Sequence, residues 1–516
     1  MAFTRYGERC AARQANRIMN KLQDKSAVPA GRKALRMGVF TLAMINVSAI
    51  VSLRGLPAES TYGLSSAFYY IFAAIFFLIP VSLVAAELTT GWPEKGGVFR
   101  WVGEAFGARV GFLAIWLQWI ESTIWFPTVL TFAAVSIAFM GPNQSWDAAL
   151  SSNSEYVLCL VLLVYWLATF LNFRGMRTSG SITKWGSLLG TVIPAGLLVL
   201  MGMIYWGMGN PIDISMQASD FVPDLSNFNN IVLAASIFLF YAGMEMSAVH
   251  VKDVENPGHN YPLAIGMASV ITVMIFVFGT LAIGFIIPQS QINLVQSLLV
   301  AYDKLFAYFG VSWLGPVMAL CLTFGVLAQV VAWVGGPSKG LLEVGRAGYL
   351  PRFMQYTNKN GVQVGILLIQ GGVVTLLSIF FVILPTVQTA YQIISQLTII
   401  LYLIMYMLMF AAAIYLRYRE PDTPRTFRIP GGKTLGMWLV GGLGLLGSFL
   451  AFVFSFIPPG QIPVGSPVLY VGILVIGCVV FTAIPFLIYA MRRPAWADPA
   501  AKKEFEPFSW EKAQDK

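Results

Sequence analysis

Three charged side chains stand where the surrounding sequence offers them little water. Arg54 follows the charge-free run 37–53, Glu121 sits deep in an apolar stretch beyond Arg109, and Glu245 closes the run 225–244. A charge at the centre of a membrane helix costs at least ~2.5–3.5 kcal/mol, so such groups are retained for a task. A carboxyl in that setting can take up a proton or meet an ammonium, while a guanidinium offers a planar fork of donors to a carboxylate. For Glu121 and Glu245 two readings stand: proton coupling or amine binding on one side, and a neutral carboxyl hydrogen-bonded between helices on the other. Arg54 either reads a substrate carboxylate or pairs with Glu59 or Glu121. Glu87, close to a basic loop, reads as structural.

The residues beside these charges interrupt their helices. One segment runs Asn46-Val47-Ser48-Ala49-Ile50 and on through Arg54-Gly55-Leu56-Pro57; the other runs Tyr241-Ala242-Gly243-Met244-Glu245. Small and polar residues there predict unwound backbone, whose free N–H groups attract a carboxylate and whose free carbonyls attract an ammonium. A zwitterionic amino acid carries both charges. The bland alternative is that Ser48 and Gly243 only let helices pack closely. Tyr402 and Tyr406 lie one helical turn apart, Trp125 lies one turn beyond Glu121, and Trp333 sits in another apolar run; each is either a site residue or packing.

No HExxH, GxSxG, P-loop or Cys/His metal spacing occurs, so nothing supports an enzyme, and no cofactor is expected. Gly442 to Gly447 spells GxGxxG without the preceding strand that a dinucleotide site requires, which predicts packing. Cys159, Cys321 and Cys478 are far apart in apolar runs and form no disulfide framework.

What must position these residues is a bundle of membrane helices. Of 516 residues, 57% are apolar and only 11% charged, with a mean hydropathy of +0.71. Soluble domains carry roughly 25% charged residues, so a soluble enzyme, a disordered scaffold and a nucleic-acid-binding protein are all excluded. Measured against the ~20 residues that cross a bilayer, the charge-free runs predict twelve spans. Two long runs fold back at Leu384-Pro385-Thr386 and Ile457-Pro458-Pro459-Gly460. With the N-terminus inside, 31 of the 33 basic residues fall on the cytoplasmic side, leaving Arg54 and Lys304 outside it. The net charge of +9 is therefore a topology signal that places both termini in the cytoplasm. Five spans separate the start of the first interrupted helix from the start of the second, so two five-span sets would enter the membrane from opposite faces. Interrupted helices at matching positions of inverted halves point to a transporter's substrate site.

These stretches carry a resemblance. They include Ala85-Ala86-Glu87, Gly91-Trp92-Pro93-Glu94-Lys95-Gly96-Gly97-Val98-Phe99-Arg100, Gly243-Met244-Glu245, Asn256-Pro257-Gly258-His259-Asn260-Tyr261-Pro262, Gly336-Pro337-Ser338-Lys339-Gly340 and Phe427-Arg428-Ile429-Pro430-Gly431-Gly432-Lys433. Over nearly all of 35–490 the chain resembles the amino acid–polyamine–organocation (APC) superfamily, and within it the bacterial glutamate:γ-aminobutyrate antiporters. The resemblance implies an all-α membrane protein with a leucine-transporter-like 5+5 inverted repeat plus two helices, helices 1 and 6 being broken. The expected organisation is a basic cytoplasmic tail at 1–34, a ten-helix core at 35–418, a cytoplasmic loop at 419–433, two helices at 434–490 and a cytoplasmic tail at 491–516.

The resemblance also implies exchange of an amino acid for its decarboxylated amine across the inner membrane, by alternating access. Substrate contacts are expected at Asn46, Val47, Ser48, Ala49, Ile50, Arg54, Tyr241, Ala242, Gly243, Met244 and Glu245, with Tyr402 and Tyr406 lining the path. Glu121 and Glu245 are the proton-coupling or charge-pairing candidates. Proton-coupled uptake of an amino acid or polyamine is the alternative, and a non-transporting membrane sensor is the alternative of another class. Expected partners are a small amino acid or amine and the lipid bilayer, with no nucleic acid, in a monomer or homodimer.

Overall fold

The computed structural model describes residues 38–94, 96–141, 144–174, 185–223, 232–245, 254–460, 465–499, 501 and 506–514. The basic tail at 1–34, Cys10, His250 and the side chains of Ser48 and Ala49 lie outside the described residues. Every regular element described is helical. The first interrupted region comprises α1 (Val39–Ile50), two extended residues, a 3₁₀ turn at Leu53–Gly55 and α2 (Leu56–Ser60). Next come α3 (Ser65–Gly91), α4 (Val98–Phe106) and α5 (Ala108–Ala138). The short α6 (Gln144–Ser151) leads to α7 (Ser154–Phe173) and α8 (Trp185–Gly207). The second interrupted region contributes α9 (Ser236–Tyr241), followed by α10 (Pro257–Ile286), α11 (Ser297–Tyr308) and α12 (Leu314–Val344). Last are α13 (Val364–Ile383), α14 (Val387–Arg419), α15 (Leu435–Phe454) and α16 (Pro467–Ala490).

Ten helices among the described residues are long and apolar enough to cross a membrane. The two predicted runs that miss this length are the two whose sequence reads as broken. Each break is local. The first falls at Val51 and Ser52, both extended, and Pro57 then sits in the first turn of α2, where its missing N–H is not needed. In the second region Ala242 is extended, at φ −71° and ψ 151°, and Gly243 takes φ +107°, a conformation costly for any residue with a Cβ.

Burial sorts the helices into layers. The apolar window of α5 is 94% buried and that of α16 only 11%, so α5 is the central pillar and α16 the outer skin. Helix α14 packs along α5 and carries buried tyrosines at 391, 402 and 406. The GxGxxG segment lies inside α15, where a Cβ at Gly444 would sit 2.3 Å from the Phe410 ring and one at Gly447 would sit 2.7 Å from the Phe76 carbonyl. Its glycines serve packing, as expected. Cys159, Cys321 and Cys478 are all free.

Candidate functional site

Helices α5, α12 and α14 and the two interrupted regions line a cavity. The first interrupted region supplies Ile50, Ser52 and Arg54, and the second supplies Leu239, Phe240 and Ala242. Glu121, Ser122 and Trp125 face it from α5, Gln329 and Trp333 from α12, and Tyr402 from α14. The two broken segments meet on its wall. A Cβ at Gly55 would fall 2.2 Å from the Phe240 ring, so only glycine lets that ring lie against the backbone. On the far side of Gly55, Ser236 donates to the buried Glu59 carboxylate at 2.5 Å, tying α9 to α2.

Each charge has a distinct setting. Arg54 is 4% exposed; its Nη1 donates to Thr128 Oγ1 and to the Tyr391 hydroxyl, both at 3.2 Å, and its Nε has no hydrogen-bond partner. Its guanidinium carbon lies 5.4 Å from the Trp125 ring centre and 5.5 Å from that of Phe240. The expected pairing with Glu59 or Glu121 is not found: no carboxylate lies within ion-pairing distance among the described residues. The 3₁₀ turn points Arg54 at α5 and α14 instead, where two hydroxyls and two rings receive it. Glu121 is buried and its Oε1 has no partner. Glu245 is buried but well served, since Tyr402 and Tyr406 each donate a hydrogen bond to it at 2.6 Å and Gln118 donates at 3.4 Å. The Tyr406 hydroxyl also accepts the Gly243 N–H at 2.9 Å, which locks the unwound turn to α14.

A model of the family described as amino acid permease matches residues 37–481. The chain belongs to the amino acid permease family. An uncharacterized transporter of Legionella pneumophila is 40% identical over 452 residues, covering 87% of this chain and 96% of its own. A glutamate/γ-aminobutyrate antiporter of Lactococcus lactis is 32% identical over 461 residues, covering 88% of this chain and 90% of its own. A protein of the same species named a probable agmatine/putrescine antiporter is 23% identical over 422 residues, covering 81% and 87%. These matches bear out the resemblance to the APC superfamily. The chain is a multi-pass membrane transporter of a small molecule, and not an enzyme.

In this permease, Ile50, Arg54, Ala242, Glu121 and Tyr402 line the cavity. Glu245 and Tyr406 stand directly behind Tyr402, whose ring stacks on that of Tyr406 with centroids 4.6 Å apart. Asn46 and Val47 are buried in the helical part of α1, near its end, and do not line the cavity. Both polar atoms of Asn46 lack a partner. Tyr241 is buried and turned away, its hydroxyl donating to the Tyr70 carbonyl at 3.1 Å. Met244 is fully buried, and Gly243 packs beneath Trp333, its would-be Cβ 3.3 Å from that ring. Gln329, Ser122, Leu239 and Phe240 were not anticipated. Gln329 carried the one available signal, an uncharged polar side chain inside the apolar run of α12.

Glu87 has the structural role expected of it. Arg417 grips it in a fork, Nε to Oε1 at 2.5 Å and Nη2 to Oε2 at 2.6 Å, and the Ile429 N–H adds 2.8 Å. Arg425 approaches the same carboxylate at 3.5 Å. Burial pushes the Arg425 guanidinium pKa down, and the Glu87 charge opposes that shift. The 419–433 loop is thereby pinned to the end of α3.

Proposed function

We propose that this permease is a secondary antiporter that exchanges an amino acid of the glutamate type for its decarboxylated amine, of the γ-aminobutyrate type, by alternating access. The observation that carries the reading is a single cavity walled by both interrupted segments and bearing Arg54, Glu121 and Tyr402. Interrupted helices at midplane are the usual place for a secondary transporter's substrate. The long relative named a glutamate/γ-aminobutyrate antiporter supports the substrate pair. In this reading twelve spans, ten of them in a 5+5 inverted repeat, lie in the inner membrane with both termini cytoplasmic. The basic-residue bias and the shortfall of α1 and α9 at the two broken positions support that arrangement. One helical bundle rocks against the other around the cavity.

Proton-coupled uptake is the second reading, favoured by one observation: Glu121 lines the cavity with an unpartnered carboxylate oxygen. Counterflow into proteoliposomes separates the two. Labelled glutamate entering only when unlabelled γ-aminobutyrate or glutamate is inside supports exchange. Uptake into empty vesicles driven by a pH gradient alone overturns exchange in favour of symport, and no flux of any amino acid or amine overturns both.

A further inference from the structure

We infer that Arg54 and Glu121 are the two poles of the substrate site: Arg54 receives the distal carboxylate and Glu121 the ammonium. The inference rests on the exchange reading and specifies what the two exchanged molecules present in common. Glutamate that loses carbon dioxide from its α-carbon keeps its γ-carboxylate, its ammonium and the carbon chain between them. A site that reads those two groups accepts both partners in one pose. A site that reads the α-carboxylate treats them as different molecules.

The geometry supports two separate poles. Thr128, Trp125 and Glu121 share one face of α5, at spacings of three and four residues. Arg54 is held at the Thr128 end of that face, by a hydrogen bond at 3.2 Å and by the Trp125 ring at 5.4 Å. Seven residues of helix separate Thr128 from Glu121, or ~10 Å. An extended γ-aminobutyrate chain likewise sets its ammonium and its carboxylate apart, by about 5 Å. Arg54 and Glu121 both line the cavity, so a ligand within it can meet both charges.

Neither charge is satisfied by the protein. Arg54 has neutral hydroxyls on Nη1, aromatic rings on its faces, an unpartnered Nε and no carboxylate among the described residues. Glu121 Oε1 is likewise buried without a partner. A buried charge left uncompensated is strongly unfavourable, and a zwitterion of the right length compensates both at once. A diamine would set an ammonium against Arg54, and a dicarboxylate lacking an amine would set a carboxylate against Glu121, so the site disfavours both classes.

The test uses the full-length protein in proteoliposomes loaded with γ-aminobutyrate, with labelled glutamate outside and unlabelled competitors added. Glutamate blocked at its α-carboxylate as the amide is expected to compete within a few-fold of glutamate. Glutamate blocked at its γ-carboxylate as the methyl ester is expected to lose about 10- to 100-fold, the scale of one hydrogen-bonded charge. Arg54→Gln raises KM for glutamate and γ-aminobutyrate alike by a similar factor, and Arg54→Lys recovers part of it. If the γ-ester competes as well as glutamate, or if R54Q lowers the maximal rate for every substrate at unchanged KM, the two-pole site is wrong. If the wild type shows no counterflow of either compound, the exchange reading falls and the poles are tested by binding. γ-Aminobutyrate, 5-aminopentanoate and 6-aminohexanoate are then added during thermal unfolding of the detergent-solubilised protein. A stabilisation by at least one that R54Q abolishes supports the poles, and no shift with any of them overturns the inference.

Discussion

Glu245 shows how a buried carboxylate is held by a sequence that places tyrosines one turn apart. Tyr402 and Tyr406 come from the same face of α14, and both hydroxyls reach the carboxylate at 2.6 Å. They are not equivalent. Tyr406 also accepts the Gly243 N–H, so its loss frees a backbone donor in the unwound turn as well as a carboxylate oxygen. A hydrogen bond to a charged group contributes ~1.5–3 kcal/mol. We therefore expect Tyr406→Phe to lower the thermal midpoint of the solubilised protein more than Tyr402→Phe, while both slow counterflow. Equal midpoints for the two variants would remove Tyr406 from the role of turn lock. Glu245→Gln keeps the shape and removes the charge; an unchanged transport rate and pH profile would show that the carboxylate has no part in transport. The spacing of the tyrosines and the Gly-Met-Glu triplet were legible because each is a pattern within one element. The partners of Arg54 were not, since Thr128 and Tyr391 stand 74 and 337 residues away and only packing brings them together.

At the scale of elements, the breaks themselves were legible and their registers were not. The polar residues Asn46 to Ala49 drew the first break too early, because a polar side chain inside a bundle does not by itself unwind a helix. The helix ends instead at Ile50, and Val51 and Ser52 are extended ahead of Pro57, which lies in the first turn of α2. The two broken segments are then coupled through Gly55 and Phe240. Gly55→Ala would drive a Cβ into the ring, and overpacking of this kind costs ~1–3 kcal/mol. Phe240→Leu in the same chain gives room back, so the double variant should be more stable in thermal unfolding than Gly55→Ala alone; a strictly additive pair would mean that the segments do not press on one another. A second junction fixes the end of α3 to α14 and the loop that follows it. Breaking a buried ion pair from one side leaves an uncompensated charge, at a cost of ~3–5 kcal/mol. Arg417→Ala should therefore lower the yield of folded protein sharply, and Glu87→Gln less, because the amide still accepts the Ile429 N–H. The reverse order would place the 419–433 loop's anchorage elsewhere.

For the whole molecule, the distribution of charge and the distribution of burial describe one object from two sides. The outer faces of α7, α8 and α16 expose large apolar side chains such as Leu163, Leu200 and Val479, while the acids and the buried arginine turn inward. The C-terminal segment shows how the basic face is finished. Arg100 donates to the Glu506 and Pro507 carbonyls at 2.7 and 3.2 Å, Glu104 accepts the Ser509 N–H at 2.9 Å, and Phe508, 2% exposed, fills the space that Gly103 leaves open. A tail so seated on α4 must lie on the same side of the membrane as the basic residues Arg100 and Arg109. In the proposed topology that side is the cytoplasm, and the first residues of the chain lie there too, because an even number of spans, here twelve, returns the chain to the side from which it started. Cys10 makes this measurable. In a variant whose Cys159, Cys321 and Cys478 are replaced by Ala, Cys10 is the remaining thiol. A membrane-impermeant maleimide should leave it unlabelled in intact cells and label it in inside-out vesicles, and a cysteine substituted for Lys516 should behave identically. Labelling of either position from outside would invert the topology, and opposite behaviour of the two would require an odd number of spans.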